Sequence, residues 1–143
     1  QYNFRYAEPS DFERGQPTFA SIDVSFISLN LILPALAKIL TDGGQVVALI
    51  KPQFEAGREQ IGKHGIVKDK SVHETVLETV TTFATNYGFT VKELDFSPIQ
   101  GGHGNIEFLA YLEKSAQAQN QVLTKIKSIV EQAHKEFKKN EET

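Results

Sequence analysis

The chain has no cysteine, no methionine and no tryptophan among its 143 residues. Without cysteine it can form no disulfide, no thiolate metal site and no cysteine nucleophile. A chain free of disulfides is at home in the cytoplasm, which is the expected location. Apolar runs are short: none approaches the roughly 20 residues that span a bilayer, and no signal-peptide pattern opens the sequence. No membrane partner is therefore expected. The histidines, His64, His73, His103 and His134, lack the spacing of metal ligands, so no metal site is expected. Charge of one sign is scarce too. Fifteen Lys and Arg face 18 Asp and Glu, giving a net charge of -3 and a pI near 5.8. No overall basic field advertises nucleic acid, so any such partner must be held by a local patch. Gly-x-Ser-x-Gly and Walker sequences are missing, as are repeats and low-complexity tracts. Because the chain begins at Gln1 and contains no Met, a piece of a longer product is expected.

What remains is an ordinary globular composition, 40% hydrophobic and 23% charged, long enough for one domain with a sizeable core. Gln1 to Tyr6 has the aromatic alternation of a strand end. Thr18 to Val24 reads as a strand. Leu29 to Leu40 reads as a helix capped by Ser28, with Pro34 expected to delay its regular part. The apolar run Val46-Val47-Ala48-Leu49-Ile50 suits a strand covered on both faces, as in parallel sheets. It stops at Lys51-Pro52. Residues 52–70 are glycine-punctuated and without clear periodicity, so a functional or mobile connection is expected. Ser71 and Glu74 form a capping box for a helix running to about Tyr87, and Gly88 stops it. Phe89 to Phe96 and Ile106 to Leu112 read as strands joined by a tight Gly101-Gly102-His103-Gly104 turn. Strands in direct succession pair most simply as antiparallel neighbours. From Ser115 the tail reads as a helix to about residue 140, with Val122, Ile126, Ile129, Val130, Ala133 and Phe137 on its buried stripe.

Three polar residues stand where apolar strands end. Asp23 follows Phe19-Ala20-Ser21-Ile22 and could simply cap the next helix. Lys51 follows the buried run at residues 45–50. Glu107 lies near the start of the last strand, where alternation alone makes it either solvent-facing or paired. Open α/β sheets bind ligands at the carboxyl edge of their strands. An antiparallel last strand brings Glu107 to that same edge, so the three residues are expected to share one site. From Lys51 to Lys70 there are five Lys or Arg against three Asp or Glu, mildly cationic and able to touch phosphates.

Several segments, in order, resemble the TlyA-type family, often labelled haemolysin A. They are Ser21-Ile22-Asp23-Val24-Ser25-Phe26-Ile27-Ser28-Leu29, Leu49-Ile50-Lys51-Pro52-Gln53-Phe54-Glu55, Gly65-Ile66-Val67-Lys68-Asp69, Ser97-Pro98-Ile99-Gln100-Gly101 and Gly104-Asn105-Ile106-Glu107-Phe108. The resemblance covers about residues 1–113. It implies an α/β, Rossmann-like class I methyltransferase sheet, mostly parallel with an antiparallel last strand and truncated at its N-terminus. It also implies an FtsJ-like, S-adenosylmethionine-dependent methyl transfer to a ribose 2′-hydroxyl of ribosomal RNA. The partner would then be ribosomal RNA or a ribosomal subunit. Asp23, Lys51 and Glu107 fall on three members of the family's Lys-Asp-Lys-Glu catalytic set. The first lysine, the glycine-rich cofactor loop and an S4 RNA-binding domain are expected upstream, so residues 1–143 alone are expected to be inactive. Asp23, Asn3 and Phe4 would border the cofactor, and Arg58, Lys63 and Lys68 would contact RNA. Two other readings compete: a membrane-active haemolysin, against which the lack of a spanning segment or a cationic amphipathic stretch argues, and a non-catalytic RNA-binding protein retaining the methyltransferase fold, against which the retained Asp23, Lys51 and Glu107 weigh.

Overall fold

A computed structural model describes residues 16–62 and 65–141. Four strands form one sheet in the order β1-β2-β4-β3, with β1 Phe19–Ile22, β2 Gln45–Ile50, β3 Phe89–Phe96 and β4 Phe108–Lys114. The β1–β2 pair is parallel, and β4 runs antiparallel to both β2 and β3. Three described strands therefore share one direction and the last opposes them, as the resemblance implies.

Three long helices lie against one face of this sheet: α1 Leu29–Ile39, α3 Lys70–Asn86 and α4 Ile126–Glu141. The register puts Val46 opposite Leu112, Ala48 opposite Ala110 and Ile50 opposite Phe108. These six residues are almost fully buried and join Leu33, Ile39, Leu77, Val80, Ile126 and Val130 in one core. The opposite face carries Val47 paired with Tyr111 and Leu49 paired with Leu109, all only half-buried. The expectation that β2 is covered on both faces is thus met on one face only among the described residues.

Local chemistry explains several departures from the expected boundaries. β1 stops at Ile22 rather than Val24, because the chain turns at residues 23–28 and Phe26 enters the left-handed region with φ of 65°. Helix α1 runs unbroken through Pro34. Proline removes one helical N–H there, while the helix start is held from outside, by Ser28 and by Glu55, which receives the Leu29 amide at 2.7 Å. Within residues 52–70, Pro52 opens a short helix, α2 Pro52–Glu55, in its favoured first-turn position. The cap of α3 is Asp69, not Ser71: its carboxylate accepts from the Ser71 amide and hydroxyl, both at 2.8 Å. Those bonds hold the Asp69 carboxyl below its usual range. Gly88 ends the helix with φ of 95°.

The last strand begins at Phe108, two residues later than expected, leaving Glu107 just outside it. The tail is not helical from Ser115. Instead residues 119–121 run beside β3, where the Val91 amide donates to Gln119 and the Gln121 amide to Val91. A bulge between Val91 and Glu93 interrupts the pairing with β4, and this segment covers the open edge of β3 at that point. Helix α4 then starts at Ile126, and all six expected stripe residues are buried.

Candidate active site at the carboxyl edge of the sheet

β1 and β2 are parallel neighbours with Ile22 opposite Ala48, so both run to the same edge of the sheet, β2 two residues further. Asp23 follows β1 and Lys51 follows β2, and Asp23 Oδ1 lies 2.6 Å from Lys51 Nζ. The lysine side chain is 13% exposed and the aspartate 69%. Lys51 Nζ also donates to Ser25 Oγ at 3.2 Å. Two oxygens on the 23–28 turn therefore aim one ammonium group, whose aliphatic stem is sheltered by the sheet.

Glu107 reaches the same edge from the opposite direction. Phe108 pairs with Ile50 at the end of the ladder, so the residues just beyond them, Glu107 and Lys51, leave the sheet at the same edge. Far from facing solvent, Glu107 is only 6% exposed. Its Oε2 accepts from Gln53 Nε2 at 2.8 Å, and its carboxylate packs so closely over Gly101 that any side chain there would collide with it. Gln53 Oε1 is buried without a hydrogen-bond partner among the described residues. Asp23, Lys51 and Glu107 thus occupy one edge: the first two in direct contact, the third held beside them through Gln53 and the Gly101 turn.

Four further contributors lie within the segments that carry the family resemblance, without a role expected for any of them. Glu55 accepts from Ser28 Oγ at 2.6 Å and from the Leu29 amide at 2.7 Å, tying α2 to the start of α1 beneath the 23–28 turn. Burial pushes its carboxyl above the usual range, against those two hydrogen bonds. Gln53 and Ser25 carry no signal of their own, because amides and hydroxyls in loops are common. Phe26, 90% exposed, sets its ring 4.9 Å from that of Phe54. Its signal was available: a large aromatic in the first polar turn after a strand.

Asn105 links the site to the rest of the loop system. Its Oδ1 accepts from the Val67 amide and its Nδ2 donates to the carbonyls of Gly65 and Gly102. The 102–104 turn is a short 3₁₀ segment, with φ of 82° at Gly104. Of the residues expected to contact RNA, Arg58 is exposed on a 3₁₀ turn after α2 and Lys68 is exposed in the loop before α3. Lys63 lies outside the described residues, as do Asn3 and Phe4. No group of three or more metal-ligating side chains occurs among the described residues. None of the described helices is long and apolar enough to cross a membrane.

The sheet and its edge define a fold of the S-adenosylmethionine-dependent methyltransferase class. A structure of that class from Methanosarcina mazei superposes with a TM-score of 0.50 at 13% identity, over 80% of this chain and 65% of the other. The chain belongs to the FtsJ-like methyltransferase family, whose sequence profile matches residues 1–114. It is 52% identical over 139 residues to the Bacillus subtilis (strain 168) protein named "Putative rRNA methyltransferase YqxC", covering 95% of this chain and 50% of that one. It is 35% identical over 98 residues to "16S/23S rRNA (cytidine-2'-O)-methyltransferase TlyA" of Mycobacterium tuberculosis (strain CDC 1551 / Oshkosh), covering 68% of this chain and 37% of that one. A solved structure titled "Putative hemolysin from Streptococcus thermophilus" is 78% identical with a TM-score of 0.97, over the whole of this chain and 52% of the other. This chain therefore spans half or less of the length of these curated relatives.

Proposed function

We propose that the full-length protein carrying this chain methylates a ribose 2′-hydroxyl of ribosomal RNA, using S-adenosylmethionine. The observation that carries this reading is the 2.6 Å Asp23–Lys51 pair at the carboxyl edge of two parallel strands, with Glu107 at the same edge. The printed names of the relatives, rRNA methyltransferase and rRNA (cytidine-2'-O)-methyltransferase, support the substrate class.

A 2′-hydroxyl is a poor nucleophile until its proton is taken. An amine takes that proton only in its neutral form, and a lysine sheltered from water and aimed by fixed partners suits the task. Lys51 is the base in this reading, Asp23 and Ser25 orient its amine, and Glu107 orients the hydroxyl. Phe26 offers an exposed aromatic face beside them, suited to stacking an unstacked base. The Asp23 carboxylate, mostly exposed at the edge, fits the cationic methionine end of the cofactor. When bound, S-adenosylmethionine supplies an electrophilic methyl group. Much of the rate would come from holding hydroxyl and methyl in line.

The sheet face bearing Val47, Leu49, Leu109 and Tyr111 has no described helix over it. We place the glycine-rich cofactor loop, the fourth member of the catalytic set and an S4 domain in the part of the relatives that this chain does not span, so that residues 1–143 alone are inactive. A ribosomal RNA substrate implies a cytoplasmic location. The test is methyl transfer from labelled S-adenosylmethionine to unmethylated ribosomal subunits by the full-length protein. The product should be a 2′-O-methyl nucleotide resistant to alkaline cleavage. Label in a base instead would overturn the 2′-hydroxyl assignment.

A further inference from the structure

A cleft of about 950 Å³ lies between the 66–70 loop, the 100–106 turn and α4. Its floor is apolar, made by Val67, Ile106 and Phe137. Its rim is cationic: Lys68 and Lys70 from one wall face Lys135 and Lys138 from α4, against a single acid, Glu131. None of the four lysines forms a salt bridge among the described residues, and all four are exposed. Unpaired lysines held around a common hollow repel one another, and a polyanion relieves that repulsion. The groove on the open face of the sheet has the opposite balance, Glu93 and Asp95 against Lys125.

The walls are built rather than loose. His73 Nε2 donates to the Val67 carbonyl at 3.0 Å, which leaves His73 Nδ1 to accept from His134 Nε2 at 2.7 Å. This pair bolts α3 to α4 and both to the 66–70 loop. Asn105 ties the same loop to the 100–106 turn through the Val67 amide. That turn also forms the seat of Glu107, so cleft and catalytic edge share one wall.

We propose that this cleft binds the phosphodiester backbone of RNA, with Lys70, Lys135 and Lys138 neutralising phosphates alongside Lys68. The proposal rests on the reading that the substrate is RNA, and it adds α4, which lies beyond the residues 1–114 matched by the family profile, to the substrate surface. A strand lying in the cleft would pass the 100–106 turn and reach the Lys51 edge. Lysine–phosphate contacts carry no base information, so the cleft sets register and affinity, while the base is chosen at the edge.

The test uses the full-length protein and a 30-nucleotide mixed-sequence stem–loop RNA, with affinity measured across a series of potassium chloride concentrations. A variant carrying Lys70→Gln, Lys135→Gln and Lys138→Gln is compared with a charge-matched control carrying Lys92→Gln, Lys125→Gln and Lys127→Gln. The cleft variant should bind about ten-fold or more weakly at low salt, and its log affinity against log salt should be shallower by about two to three. Thermal unfolding and S-adenosylmethionine affinity should match the parent. Parent-like affinity and slope in the cleft variant would overturn the cleft while leaving the proposed function standing. An equal loss in the control would overturn it as well, since the effect would then be one of net charge. If the parent binds S-adenosylmethionine but no RNA at any salt, the substrate reading fails and the cleft assignment fails with it.

Discussion

Asp23 and Lys51 are 28 residues apart in the chain, yet their charged atoms meet at 2.6 Å because β1 and β2 are parallel neighbours that run to the same edge of the sheet. The pair makes Asp23→Asn informative. It keeps size and removes charge, so Lys51 loses its ion-pair partner while keeping the Ser25 hydroxyl. Methyl transfer by the full-length protein should fall by about ten-fold or more, as the loss of an orienting group implies, with little change in thermal stability. Single-turnover kinetics check this.

Gly101 is required by its neighbour rather than by its own backbone. An added methyl would collide with the Glu107 carboxylate. Gly101→Ala should therefore displace Glu107 from Gln53 and lower the methyl-transfer rate by about ten-fold or more, since small displacements of an aligned group are costly. Activity measured beside a denaturation curve separates this effect from simple unfolding.

Phe26 holds an exposed ring and a left-handed backbone beside the lysine. Base–aromatic stacking is worth about 1–3 kcal/mol by alanine substitution. Phe26→Ala should raise KM for RNA or lower kcat/KM by about 5- to 150-fold, leaving S-adenosylmethionine affinity unchanged. A steady-state comparison with both substrates varied decides it.

His73 supplies a pH signature of stability. Burial first, and the neighbouring His134 second, push its imidazole down to about 4. Burial and then Lys70 hold His134 below its usual value as well. A base whose folded value is depressed binds its proton in the unfolded chain first. Stability is therefore complete above about pH 6.5 and is lost as pH falls toward 4, by about 3 kcal/mol for His73. Urea denaturation from pH 7.5 to 4.5 should show this loss, and His73→Gln should flatten the slope while lowering stability at neutral pH.

Much of this architecture is legible in the sequence, for reasons that particular residues show. The β2 run and the Phe89–Phe96 strand stand out because their apolar stretches are bounded by glycine or proline punctuation. The edge position of Asp23, Lys51 and Glu107 follows from strand ends and from antiparallel succession. Features that depend on distant partners are not legible. Glu55 reads as a loop acid until α2 brings it under the start of α1. The Ser71–Glu74 capping box is outcompeted because Asp69 already holds the Ser71 amide. The segment before α4 looks helical by composition, but the bulge in β3 offers it a backbone ladder instead. His73 and His134 are 61 positions apart, and only helix packing joins them.

The most direct measurement is methyl transfer by the full-length protein carrying Lys51→Ala, with S-adenosylmethionine affinity and thermal stability recorded on the same sample. The amine at the sheet edge is the proposed base, so transfer should drop by about 10²-fold or more while cofactor binding and fold persist. Undiminished transfer by that variant would contradict the assignment of Lys51 and, with it, the proposed chemistry of this edge.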